Sequence, residues 1–132
     1  MGEVKPRVPS EGEEQQALFR WADLLSESRH PELRLLYHVP NGGSRNKVEA
    51  ARLKGEGVRS GVPDLCLPVA RGGYHGLYIE LKRAVGGRVS ENQTRWLAAL
   101  VREGYLAVVC HGWDEARRVI ENYLDERRVR NG

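Results

Sequence analysis

Residues 61–83, GVPDLCLPVARGGYHGLYIELKR, hold two short apolar runs around a glycine-rich turn. No other stretch constrains the chain as strongly. The runs read as an antiparallel hairpin, Asp64 to Val69 and Leu77 to Lys82, turning through RGGYHG. Side chains alternate across a strand, so Tyr78, Glu80 and Lys82 share one face while Ile79 and Leu81 take the other. The first run opens on Asp64, which antiparallel pairing brings beside Glu80 and Lys82. Three charges therefore stand where a core hairpin has room for aliphatics. Leu65, Leu67, Ile79 and Leu81 leave that one face free for them.

The flanking segments supply helices to cover such a sheet. Ser10 caps a helix that opens on Glu11, Glu13 and Glu14, and Leu18, Trp21, Leu24 and Leu25 mark its buried face. LRLLYHV (33–39) suits a strand, PNGGSR turns, and KVEAARLKG (47–55) forms a short basic helix stopped by Gly55 and Gly57. After the hairpin, Ser90 caps a helix whose core positions are Trp96, Leu97, Leu100 and Val101. YLAVVC (105–110) is a buried strand, and WDEARRVIENYLDE is the last amphipathic helix. Helices alternating with apolar strands predict an α/β sandwich of three layers, a central mixed sheet with helices on both sides.

At 132 residues the chain fits one domain, with residues 1–9 as a loose arm, 10–126 as the domain and 127–132 as a basic tail. With 40% hydrophobic and 30% charged residues it reads as a soluble globular protein. The net charge of +3 suits a polyanionic partner without demanding one. Cys66 and Cys110 lie in apolar runs without zinc-type spacing and read as buried thiols. No charged-then-apolar leader opens the chain and no apolar run approaches about 18 residues, so no membrane span is expected and the expected location is cytoplasmic.

Chemistry follows from the hairpin. Two carboxylates converging on one point make a hard-cation site, and oxygen ligands suit Mg²⁺ or Mn²⁺. A lysine beside them can orient a nucleophilic water and stabilise charge developing on a phosphate. Taken singly, each residue has a plainer reading: Glu80 and Lys82 as a solvated same-face pair, Asp64 after Pro63 as a turn residue. The combination in register is far more selective.

Pro63-Asp64 followed by Glu80-Leu81-Lys82 resembles the PD-(D/E)xK nuclease superfamily, and more closely the VRR-NUC (virus-type replication-repair nuclease) domain. The similarity extends to Ala17-Leu18-Phe19, His38-Val39-Pro40-Asn41-Gly42-Gly43 with Arg45, Leu53-Lys54, Gly61-Val62, Ser90 with Gln93 and Trp96, and Gly104-Tyr105. It implies a restriction-endonuclease-like fold with a helix, three strands, helix, strand core. It also implies that Asp64 and Glu80 hold a metal through their carboxylates, with the Leu81 carbonyl as a further ligand and Lys82 at the water or the transition state. Members use a glutamate of the first helix as well. Glu11 ranks first for that role and Glu14 second, while at least one of Glu11, Glu13 and Glu14 merely complements the helix dipole.

The implied activity is metal-dependent endonucleolytic hydrolysis of DNA, selective for branched or Holliday-junction structures, by a homodimer that grips two strands symmetrically. The competing readings are an inactive or accessory DNA-binding module and a hydrolase of smaller phosphate esters. Arg45, Lys47, Arg52 and Lys54, among glycines ahead of Asp64, form a candidate strip for backbone phosphates. Asn41 and Gln93 are secondary candidates for substrate contact. His38 reads as an ordinary core or surface histidine, and Trp21, Trp96 and Trp113 as packing.

Overall fold

The protein is described by a computed structural model over residues 7–40 and 46–126; Arg45 of the candidate strip, the substrate-contact candidate Asn41, most of the N-terminal arm and the C-terminal tail lie outside these residues. Helix α1 (Glu11–Ser26) starts in a reciprocal capping box, Ser10 bonding the Glu13 amide and Glu13 bonding the Ser10 amide. Strand β1 (Tyr37–His38) and helix α2 (Lys47–Gly55) follow. Next come β2 (Leu65–Leu67), β3 (Leu77–Lys82), α3 (Glu91–Arg102), β4 (Leu106–His111) and α4 (Trp113–Asp125).

The strands form one sheet in the order β1-β2-β3-β4. β1 pairs with β2 and β2 with β3 antiparallel, whereas β3 and β4 run parallel, joined by a crossover through α3. Leu65, Leu67, Leu77, Ile79, Leu81 and Cys110 project from one face onto Leu18 and Ala22 of α1 and Ala116, Ile120 and Tyr123 of α4. Each fully buried leucine or isoleucine there is worth about 1.5–3 kcal/mol relative to exposure, so this layer carries most of the stability. α3 packs on β4, on the other face. The result is the three-layer α/β sandwich with a mixed sheet of the restriction-endonuclease-like fold.

Three local expectations are corrected. Residues 33–36 are not strand: Pro31–Leu35 is a 3-10 helix, and extended pairing is confined to Tyr37 and His38. Pro31 at the helix start presets its backbone, and the buried pair Leu33 and Leu36 falls at the three-residue spacing of a 3-10 turn. Leu24 and Val101, counted as core, are exposed. Ala22 takes the buried position on α1 instead, one turn after Leu18. The strand carrying Asp64 is also shorter than the apolar run, so the aspartate sits one residue outside β2.

Candidate active site

Asp64 is fixed from three directions. The segment before it docks on the start of α3, where Gly61 adopts φ +93 and a Cβ would meet the carbonyl of Asn92 at 2.8 Å. The Asn92 amide nitrogen donates to the Ser60 hydroxyl at 3.3 Å. Only glycine satisfies both the left-handed backbone and the close approach. The Asp64 carbonyl accepts from the Val39 amide at 2.6 Å and lies 3.0 Å from His38 Nδ1. Its side-chain Oδ2 accepts from the Leu81 amide at 2.9 Å, which turns the carboxylate toward β3.

Glu80 is the centre of the site and is only 1% exposed. Oε1 accepts from Gln93 Nε2 at 2.8 Å and lies 3.5 Å from Lys82 Nζ. Gln93 is held for this by the α3 capping box: its Oε1 accepts from the Ser90 amide at 2.8 Å, while Ser90 Oγ accepts from the Gln93 amide at 3.2 Å. A residue that caps a helix thus also aims its second amide atom at the carboxylate. Glu80 Oε2 is buried with no hydrogen-bond partner. A buried acceptor left unsatisfied costs about 1–3 kcal/mol, so this atom is the unbalanced point of the sheet. Burial first, then the neighbouring Asp64 charge, pushes the Glu80 carboxyl up to about 8, and Lys82 offsets this only in part.

The strand register turns the Leu81 backbone toward Asp64. Leu65 opposes Ile79, so the same register continued two pairs outward would set Pro63 opposite Leu81. The Leu81 amide and carbonyl face the Asp64 edge, while the Lys82 carbonyl faces β4 and accepts from the Gly112 amide at 2.9 Å. Proline has no N–H, so its position offers the Leu81 carbonyl no ladder donor. Proline ahead of the aspartate therefore ends the ladder on this edge of β3.

The two helix glutamates differ in their surroundings. Glu11 is exposed at the first turn of α1. Glu14 is 7% exposed, and its Oε2 accepts from the Trp113 amide at 2.5 Å. Gly112 caps α4 with no side chain, so Glu14 supplies across the core the acceptor that this helix start lacks. Among the described residues no group of three or more His, Cys, Asp or Glu side chains is placed to share a cation. Replacing Glu14 with alanine should lower unfolding free energy by about 1–3 kcal/mol, measured by urea denaturation, whereas Glu11→Ala should change it little. Equal effects from the two would remove the cap assigned to Glu14.

The basic strip is partly assembled. Lys47, Arg52 and Lys54 are exposed on α2, which buries no residue at all. Arg52 pairs with Glu56 at 2.8 Å, which leaves Lys47 and Lys54 as the freer charges of the three. Gln93 spends its amide on Glu80 and the cap and does not serve an outward surface. Sequence reasoning missed Gly61 and His38 as supports for Asp64. The positive backbone angle and the β1 pairing that reveal them exist only in three dimensions.

Residues 7–114 match the VRR-NUC domain family model. A solved structure described as a VRR_NUC domain protein is similar over 92% of this chain and 93% of that one, at 32% identity and a TM-score of 0.80. No curated protein matches the chain. With the Asp64, Glu80 and Lys82 cluster lying inside the matched span, the chain belongs to the VRR-NUC domain family.

Proposed function

We propose that this chain is a divalent-metal-dependent DNA endonuclease that hydrolyses phosphodiester bonds, with branched DNA such as a four-way junction as its substrate. The observation that carries the reading is the buried Glu80 carboxylate, pressed by Asp64, with Oε1 beside Lys82 and Oε2 left unpartnered. Such an arrangement is costly for a purely structural site and suited to a bound cation. The donor set fits Mg²⁺ or Mn²⁺: Asp64 and Glu80 carboxylates with the Leu81 carbonyl, all hard oxygens, too few to enclose the ion without water. When bound, the cation supplies Lewis acidity toward the scissile phosphate and the attacking water.

The chain's own residues do the rest. Glu80 releases its proton as the site is loaded, and Gln93 keeps its carboxylate oriented. Lys82, held against Glu80, places a positive charge where the phosphate gains negative charge during displacement. Lys47 and Lys54 of α2 contact the backbone away from the cut, with Arg52 joining them if its Glu56 partner is released. A symmetric junction has two strands to cut, so the active form is a homodimer.

The test is direct. Wild-type protein incubated with end-labelled four-way junction, flap and linear duplex in Mg²⁺ is expected to cut the branched substrates first, and EDTA to stop all cleavage. Binding without cleavage of any substrate would support the accessory-module reading instead. Cleavage that persists in EDTA would remove the metal.

A further inference from the structure

The loop from Arg83 to Val89, RAVGGRV, joins two parts of the site. It leaves β3 directly after Lys82 and enters α3 at Ser90, the cap that fixes Gln93. It also folds back on the site: a Cβ at Gly87 would lie 2.8 Å from the Lys82 Cβ, so the loop backbone passes close to the lysine stem where only glycine leaves room. At its base His111 Nδ1 lies 3.3 Å from the Arg83 carbonyl. One foot thus follows directly on Lys82 and the other, Ser90, is bonded to Gln93, the two residues that contact Glu80.

Its outer surface has a different character. Val85 at the turn is 65% exposed, and Arg83 and Arg88 on either side are exposed too. The loop contains no acidic residue. Arg7, Arg52, Arg71, Arg95, Arg117 and Arg118 are ion-paired with Asp or Glu; among the described residues Arg83 and Arg88, like Arg20, Arg29, Arg34, Arg59 and Arg102, are in no such pair, and of these Arg83 alone adjoins Lys82 in the chain. Two uncompensated guanidiniums on either side of an exposed aliphatic, the first of them next to Lys82 in the chain, match a phosphate backbone with sugar and base edges between its charges.

We propose that the Arg83–Val89 loop is a DNA-contact element, in which Arg83 and Arg88 bind phosphates of the strand next to the one cut and Val85 packs against the nucleotides between. The assignment rests on the nuclease reading and adds a surface to it. It makes the loop a device that couples strand placement to Lys82, through the Gly87 contact.

The experiment compares wild type with Arg83→Gln/Arg88→Gln, using fluorescence anisotropy of labelled four-way junction in Ca²⁺ over a salt series, and cleavage in Mg²⁺. Arg20→Gln/Arg29→Gln, an equal loss of charge on α1 and just beyond it, is the control. Two lost phosphate contacts should reduce the slope of log affinity against log salt by about 2 and weaken binding at least about 10-fold at low salt. KM should rise with kcat changing much less, and melting temperature should stay put because both side chains are exposed. Val85→Glu should weaken binding as well. Equal weakening by the control pair, unchanged affinity, or a loss confined to kcat would each overturn the loop's role while wild type still binds and cuts DNA. Wild type that neither binds nor cuts would overturn the nuclease reading and this one together.

Discussion

Lys82→Met is expected to slow DNA cleavage about 10²–10³-fold while leaving the fold and the capacity to bind Mg²⁺ in place. The lysine side chain is almost fully enclosed, with Glu80 at its head and Gly87 against its stem. Methionine keeps most of that stem, so the packing with Gly87 survives and only the charge is lost. Glu80 retains its hydrogen bond from Gln93 but no longer faces a cation, so its carboxyl should hold a proton more tightly and metal binding should shift to higher pH. Asp64→Asn should behave differently. It removes one of two carboxylates, so calorimetric titration should show weak or absent Mg²⁺ binding, and cleavage should vanish with it. Single-turnover rates and metal titrations on both variants separate the roles. A Lys82→Met enzyme within about 3-fold of wild type would end the catalytic assignment.

The sequence was legible wherever local pattern and tertiary demand agreed. The α3 start is the clearest instance: Ser90 with Gln93 reads as a capping box, and the structure builds one. The hairpin was legible for the same reason, since alternation over Leu77 to Lys82 separates Ile79 and Leu81 from Glu80 and Lys82 before any partner is known. Residues 33–36 were not, because a short leucine-rich run has no period long enough to distinguish strand from 3-10 turn. Glu14 failed differently. Its position near the buried face of α1 was visible, but the Trp113 amide it serves lies at the far end of the chain, and Gly112's missing cap leaves no local mark. Gln93 carried two meanings, cap and site residue, and sequence alone offered no reason to assign both. Gly87 carries no mark in the sequence of its closeness to the Lys82 stem.

Glu80→Gln is expected to make the metal-free protein more stable than wild type at alkaline pH, and equal to it in acid. The sign follows from linkage. The Glu80 carboxyl sits at about 8 in the folded state, against 4.5 as its ordinary value. Between those limits the folded protein holds a proton that the unfolded chain has released. Stability contributed by that proton is complete below about pH 4.5, declines as pH rises, and is gone above about pH 8. The loss amounts to a few kcal/mol, from a total of about 5–15 kcal/mol for a domain of this kind. Glutamine is neutral throughout, keeps the Gln93 contact and removes the titration, so its melting temperature should lack this fall across the window. Mg²⁺ should reverse the ranking: it offsets the buried charge of wild-type Glu80 and raises its melting temperature most near pH 8–9, while the glutamine variant gains little. Thermal melts of both proteins at pH 5 and pH 9, in EDTA and in millimolar Mg²⁺, give the four comparisons. A wild type whose stability is flat from pH 5 to pH 9 in EDTA would mean that Glu80 is not strained, and the argument for a cation at this carboxylate would fall with it.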